Sequence, residues 1–406
     1  MVDVVKLGVK RPANKPLLPD PEPREVNYTL FSVDDHLMEP ANTFEGRVPE
    51  KYKDRAPKII ENDDGTEVWQ MDGQPYFQAG FMCVAGRPKE DHRLEPARFD
   101  EIRPGCFDIH ARIKDMDIGG VAASVNFPSG VTGFGGHLFS TMEDLNLGHA
   151  CIEAWNDWLF DDWYSPYPDR IVPLGITNLA DPQKGAAEII RNAKRGFKAI
   201  TLPEQPHNVG LPSVYDKDHW RPIIEACVET DTIVNLHVGS AGFKQKPPGA
   251  PQLELGATLF VAMALESCME WLWSEFPAEY PTLKIAMAEG GIGWVATMVD
   301  RLDNITARSG YGSNWPDKVN GPSDVLRRNF WFTMIDDPST ICTLPTIGVE
   351  NVMFESDYPH GDGTWPDTQQ VMKDILGHLP DDQIRAIAWE NASKLYRHEL
   401  KGTMLP

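Results

Sequence analysis

The feature that most constrains this chain is a rhythm that begins at Phe31. Short β-rich runs alternate with longer stretches of helical periodicity, the pattern of parallel strands joined by crossover helices. Eight strands are predicted: Phe31–His36, Val121–Phe127, Ile171–Ile176, Phe197–Leu202, Thr232–His237, Leu283–Glu289, Phe330–Ile335 and Asn351–Asp357. Several are apolar for most of their length, as in Ile233-Val234-Asn235-Leu236, which is the signature of strands buried on both faces. Helices are predicted between them over Met142–Trp163, Pro182–Lys194, Trp220–Glu229, Gly256–Phe276, Gly293–Ser309 and Pro338–Leu344. Two more follow the last strand, Asp367–Leu376 and Asp381–Glu399, with Asp367 and Asp381 where N-caps belong.

Eight such strands predict an α/β fold, a (β/α)8 TIM barrel. The rival, an open doubly wound sheet, wants a Gly-rich phosphate loop after its first strand. Here that position reads Asp34-Asp35-His36-Leu37-Met38-Glu39-Pro40, without glycine. The 406 residues exceed the ~100–200 typical of one domain, but barrels routinely run longer. The expected organisation is an extended Pro-rich N-terminal arm over 1–29 and a barrel over 30–400. A small β-containing insertion over 49–105 covers the barrel mouth, with a hairpin of Lys58–Glu61 and Thr66–Met71 around Asp63-Asp64-Gly65. The run from Gly130 to Gly136 is read as another loop over that face.

A net charge of −22 argues against a phosphate-backbone binder, so no nucleic acid, and against an anionic membrane. No run reaches the ~18 apolar residues of a membrane span, and Met1–Glu25 lacks a signal-peptide core. Six scattered cysteines without a CxxC pair read as free thiols in a reducing, cytoplasmic setting. The helix Gly256–Phe276, apolar beyond one face, is read as packed under the insertion or as the contact of a homodimer or higher homo-oligomer.

Chemistry in a barrel gathers at the C-terminal ends of its strands. Four predicted strands end in groups able to bind a metal or move a proton: Asp34-Asp35-His36, His237, Glu289 and Asp357 with His360. Asp34 and His36 are two apart, so they share one strand face and Asp35 takes the other. With His237 and Asp357 they form a mixed nitrogen and oxygen set for a divalent metal, Zn2+ first, with Mn2+ or Fe2+ as alternatives. Glu289 is a further ligand or a general base, and His360 a substrate or relay group. Singly, each could equally be a hydrogen-bonded structural residue; their coincidence at one end of the barrel carries the reading. Arg112 and Asp115 are read as a structural pair, exposed or at a helix end. His92, His378 and His398 are expected in solvent, whereas His110, His137, His207 and His219 are candidates to turn inward. Trp69, Phe77, Phe81, Phe127, Phe134, Trp294 and Trp365 together suggest a partly aromatic pocket for a small cyclic or aromatic substrate.

Several of these runs resemble the amidohydrolase-related family, also called amidohydrolase 2. They are Asp34-Asp35-His36-Leu37-Met38-Glu39-Pro40, Leu236-His237-Val238-Gly239, Glu289-Gly290-Gly291-Ile292-Gly293-Trp294 and Phe354-Glu355-Ser356-Asp357-Tyr358-Pro359-His360. The runs Arg112–Asp117, Asn126–Ser129 and Glu390–Tyr396 resemble it too. The resemblance implies a metal-dependent barrel enzyme with Asp34, His36, His237 and Asp357 as ligands. The family holds hydrolases, C–C bond hydrolases and non-oxidative decarboxylases. Asp34 resembles the acidic-x-His form of the decarboxylases, whereas Glu289 stands where many members have histidine. The leading expectation is a hydrolase acting through metal-activated water, with Asp357 or Glu289 as base. The alternative is a metal-dependent decarboxylase of an aromatic or unsaturated acid, in which Asp357 or its relay protonates the carbon; a non-catalytic scaffold is the third reading.

Overall fold

The computed structural model describes residues 16–405 apart from 64, 77–79, 93–97, 243–245, 310–313 and 403. The first fifteen residues of the expected arm, Asp64 and Phe77 lie outside the described residues. The strands are β1 (Phe31–Leu37), β2 (Lys58–Glu61), β3 (Glu67–Met71), β4 (Gln74–Tyr76), β5 (Ala123–Pro128), β6 (Ile171–Val172), β7 (Leu174–Gly175), β8 (Ala199–Pro203), β9 (Ile233–His237), β10 (Ile285–Ala288), β11 (Phe330–Met334) and β12 (Val352–Phe354). With helices in nearly every interval, this is the α/β alternation expected.

Two parallel ladders carry the fold, β1-β5-β6 and β7-β8-β9-β10-β11-β12. The predicted strand Ile171–Ile176 is split at Pro173, which has no N–H to give a ladder. Its two halves pair on opposite sides, Ile171 with Ser124 and Leu174 with Ala199. At the other margin, the Asp357 N–H donates to Asp34 O at 2.9 Å and the His36 N–H to Tyr358 O at 2.6 Å.

Both faces of the strands are buried. On one face Phe31, Val33, Val125, Leu174, Ile233 and Met353 pack together with Leu395 and Tyr396 of the helix Asn391–Tyr396. On the other, residues such as Leu202, Leu236 and Phe332 pack against helical side chains including Trp155, Ile223 and Trp271. Several boundaries differ from expectation, two of them after the last strand. The predicted helix over 381–399 is interrupted by wider turns at Ala386–Glu390 and ends at Tyr396, and Asp381 is its first residue after an N-cap at Pro380. Asp367 does precede Thr368–Leu376, but its side chain makes no capping bond.

The segment between β1 and β5 contains a three-stranded antiparallel sheet rather than a hairpin. Its extra strand follows Asp72 and Gly73, whose φ values of 51° and 78° are the left-handed pair of a tight hairpin turn. The described part of the arm lies along the chain's own body: the Asn27 and Tyr28 N–H groups donate to Gln369 Oε1, and Arg24 meets Asp367 at 2.8 Å. No helix among the described residues is long and apolar enough to cross a membrane. All six cysteines are free, five of them buried.

Asp35 joins three parts of this framework. Its Oδ1 accepts from Ser32 Oγ at 3.1 Å, Ser356 Oγ at 2.5 Å and the Tyr358 N–H at 3.0 Å, and its Oδ2 accepts from Ser124 Oγ. Replacing it by alanine leaves several buried donors unsatisfied. We expect Asp35→Ala to lower unfolding free energy by about 3 kcal/mol in urea denaturation, while exposed Glu50→Ala stays within about 0.5 kcal/mol of the parent.

Candidate metal centre

The residues expected at the strand ends do meet. β1 carries an irregularity between Ser32 and Asp35, where its register with β5 shifts, and this local bend sets the direction of Asp34. Asp34 and His36 face the same site and Asp35 faces away, as alternation requires. His36 Nε2 lies 2.9 Å from His237 Nε2, 3.3 Å from Asp34 Oδ1 and 3.7 Å from Asp357 Oδ1. His237 Nε2 lies 3.3 Å from Asp34 Oδ2. All four side chains are fully buried.

The surroundings show what these atoms are for. His237 Nδ1 donates to Val238 O at 2.7 Å, and a carbonyl can only accept, so the free lone pair is on Nε2. His36 Nδ1 is held 3.1 Å from Ser129 Oγ, which turns its Nε2 toward the same point. Both carboxylate oxygens of Asp34 and both of Asp357 lack a hydrogen-bond partner. Burial, reinforced by neighbouring carboxylates, pushes the Asp34 and Asp357 carboxyls well above the usual range. Burial likewise lowers His36, and brings His237 down to about 3. Converging lone pairs and unpartnered buried anions are a poor arrangement by themselves and a good one around a cation. The donor set therefore fits a divalent metal.

Glu289 follows β10 at a φ of 57° and places Oε2 3.4 Å from His237 Nε2. Its N–H donates to Thr333 Oγ1 at 3.0 Å. Burial, then Asp362, raises its carboxyl well above the usual range. His360 stacks on His36 with ring centroids 3.8 Å apart. Its Nδ1 is 2.9 Å from Asp357 Oδ1, close but without hydrogen-bond geometry.

Two members were not anticipated. Glu355 is fully buried two residues before Asp357, and burial pushes its carboxyl up to about 8. Period-two alternation along Glu355-Ser356-Asp357 was a signal for it. Asp362, exposed at the cleft side, was signalled only by following His360.

Arg112 and Asp115 are neither exposed nor paired with each other. Arg112 is fully buried, with Nε donating to Gly105 O at 2.7 Å, Nη2 donating to His36 O, and its guanidinium 4.4 Å from the Tyr358 ring. Asp115 accepts two bonds from Arg103 at 2.7 and 2.8 Å and one from Tyr358 Oη at 2.6 Å. They brace the backbone beside His36 and Asp357.

Above the site opens a cleft of about 670 Å³. Its walls include Met82, Phe134, Leu138, Val209 and Phe260, with Tyr76, His92, His137 and Asn208 as polar groups and Glu289, His360 and Asp362 nearest the metal-binding cluster. No Lys or Arg lines it among the described residues. His137 thus turns inward, its pKa lowered by burial to about 4, and so does His92, against expectation. His110 bonds Tyr167 Oη and His219 bonds Leu179 O, while His207 is exposed; none lines the cleft. His378 is exposed as expected, but half-buried His398 is held 3.0 Å from Asp169 O.

Of the expected aromatic set, only Phe134 lines the cleft among the described side chains. Phe127 lies buried against His237, and Trp69, Trp294 and Trp365 pack against Phe44, Phe332 and Tyr358. Phe134 is delivered by the glycine run. A Cβ at Gly135 would come within 2.7 Å of Pro203 N, and buried Glu39 anchors the loop through the Gly130 N–H.

The raised carboxyls have a measurable consequence. A group whose folded pKa is raised contributes stability that is lost as pH climbs through that value. For Glu355 this lies near 8, and Asp34 and Asp357 act in the same direction. The metal-free protein should therefore lose thermal stability as pH rises from about 5, the ordinary carboxyl range, to about 8. Loading with Mn2+ should remove most of that loss. A pH-independent melting temperature of the chelator-treated protein over this range would contradict the assignment.

The amidohydrolase family model matches residues 102–398. Comparison with curated protein sequences finds no match. Among solved structures, an amidohydrolase from Mycobacterium avium subsp. paratuberculosis is similar, with 22% identity, a TM-score of 0.69, and 92% of this chain and 100% of that one covered. A 5-carboxyvanillate decarboxylase mutant from Novosphingobium aromaticivorans, with bound manganese and a nitrobenzoic acid ligand, is 19% identical at a TM-score of 0.64, covering 93% and 100%. A dihydroxybenzoic acid decarboxylase from Polaromonas sp., with manganese and the inhibitor 2-nitroresorcinol, is 17% identical at a TM-score of 0.62, covering 91% and 97%. At these identities the likeness is one of fold. The family match, spanning most of the chain and every strand from β5 to β12, makes this chain a member of the amidohydrolase family.

Proposed function

We propose that this protein is a metal-dependent, non-oxidative decarboxylase of an aromatic or unsaturated carboxylic acid. The observation that carries the reading is the pairing of a buried, cation-demanding donor set with an apolar cleft that has no Lys or Arg among its described lining residues. A substrate carboxylate then finds its positive partner only in a bound ion. The likeness to decarboxylase structures supports this over the hydrolase expected first. Manganese in two of them makes Mn2+ the first metal to test, ahead of Zn2+. In this reading, residues 30–400 form one closed barrel, 1–29 its arm and 49–105 the cover that brings Tyr76, Met82 and His92 to the cleft.

Asp34, His36, His237 and Asp357 hold the ion. When bound, it supplies the positive charge that grips and polarises the substrate carboxylate. Phe134, Leu138 and Val209 take the apolar ring and keep water from it. Asp357, with Oδ1 2.9 Å from His360 Nδ1, passes a proton to the carbon that bears the carboxylate. The C–C bond then breaks, its electron pair returns to the ring and CO2 leaves. His360, which borders the cleft, returns a proton to Asp357.

Glu289 sustains a second reading. Its Oε2, 3.4 Å from His237 Nε2, is in position to take a proton from water, which is hydrolase chemistry.

The two readings separate on one set of assays. Against a panel of aromatic and unsaturated acids, the Mn2+-loaded enzyme should release CO2 and, in D2O, place one deuterium at the vacated carbon. Asp357→Asn should lower kcat about 10³-fold. Solvent oxygen-18 in a product carboxylate without CO2 release would instead establish the hydrolase.

A further inference from the structure

One buried carboxylate beside the site takes no part in the proposed reaction. Glu39 stands three residues past His36 and is 1% exposed. Its Oε2 accepts from the Gly130 N–H at 2.9 Å, and its Oε1 accepts from Thr132 Oγ1 and from Trp155 Nε1, both at 3.2 Å. Gly130 and Thr132 open the glycine run over 130–136. A carboxylate taken out of water is held by such donors and holds them in return, because a strong bond is lost if the loop moves.

The far side of the run is fixed as firmly. Thr201 Oγ1, on β8, donates to Phe134 O at 2.6 Å. The Gly136 N–H donates to Gly133 O at 2.9 Å and the Leu138 N–H to Thr132 O at 3.2 Å. A Cβ at Gly136 would lie 2.6 Å from Ile176 Cγ2, so a glycine is needed for the loop to come this close. Between these fixed ends sits Phe134. Its ring centroid is 4.6 Å from that of His36, 4.7 Å from His237 and 5.6 Å from His360, and it borders the cleft. One flat apolar ring therefore stands beside both imidazole ligands and the relay histidine. β1 supplies Asp34 and His36, and the chain just beyond it supplies Glu39. The same short stretch thus sets the metal-binding end and the place of the ring relative to it.

We propose that Phe134 is the specificity-determining residue of the cleft, selecting a flat, unsaturated body beside the substrate carboxylate, and that Glu39 is its positioning residue. Phe134 has this role only if the metal centre grips an acid, as read above. Glu39 acts through Gly130 and Thr132 and does not itself line the cleft. Glutamine in its place offers a single acceptor oxygen and turns an NH2 group toward the donors, so the loop loses part of its hold.

Isothermal titration calorimetry of the full-length, Mn2+-loaded protein tests both roles, with benzoate and cyclohexanecarboxylate as ligands of like charge and ring size, one flat and one puckered. The parent protein should bind benzoate about fivefold more tightly. Phe134→Leu, which keeps apolar bulk but not the flat face, should bring the two acids within about twofold of each other. Glu39→Gln should give an intermediate preference at unchanged Mn2+ content. Glu39→Gln combined with Phe134→Leu should fall no lower than Phe134→Leu alone, because Glu39 acts only through the ring. Equal binding of both acids by the parent, or a preference that survives Phe134→Leu, would overturn the specificity role. The parent's preference in Glu39→Gln, or additive losses in the double variant, would remove the positioning role. If neither acid bound, the acid-binding reading would fall together with both roles. Absence of CO2 release from every acid tested, with the binding preference intact, would strike the decarboxylase alone.

Discussion

Everything near the strand ends is arranged around one constraint: negative charge buried without a partner. Asp34 and Asp357 are removed from water, and neither has a hydrogen bond to replace what solvation provided. Such groups are costly unless a cation meets them. The two imidazoles that share their space point lone pairs, not protons, at the same region, because His237 spends its Nδ1 proton on Val238 O. The surrounding structure resists relaxation of this arrangement. Arg112 grips the His36 carbonyl from below, Asp35 ties β1 to β5 and to the chain after β12, and Tyr358 is clamped through Asp115 to Arg103. These groups act on the backbone beside His36 and Asp357, so they set where those side chains can be.

The cleft completes the electrostatic logic. Much of its wall is apolar, and its described lining has no cationic side chain. In the proposed reading recognition is thereby divided: side chains such as Phe134 and Leu138 take the apolar body, while attraction for an anionic group is left to the metal-binding end. Histidines at the cleft remain neutral because burial lowers their pKa, so His137 and His360 serve as hydrogen-bonding or proton-carrying groups rather than fixed charges.

Much of this was legible in the chain because it is written in local patterns. Alternation along Asp34-Asp35-His36 separates a site face from a structural face, and the structure keeps that separation. Where the structure departs from these local patterns, a nonlocal partner or a second local signal explains it. Asp72-Gly73 is a strong hairpin signal, and it yields the third strand of the small sheet. Pro173 divides a strand whose apolar character is otherwise unbroken. Arg112 resembles an exposed helical cation until its acceptors, Gly105 O and His36 O, are known. The aromatic residues look like a pocket in sequence, yet most of those described fill the gaps between elements, because a large ring contributes more by packing than by waiting for a ligand.

The sequence by itself determined the α/β alternation, the identity of the groups at the strand ends and the acidic exterior, since each follows from periodicity or composition along the chain. Only the tertiary structure decided which of those groups converge. Distance in space depends on strand register, on the bend in β1 and on the left-handed backbone at Glu289 and Asp357, none of which is encoded by a short window of residues. The same holds for Glu355 and Asp362. Glu355 acquires meaning from burial and Asp362 from the company of other charges, and both are properties of the folded molecule.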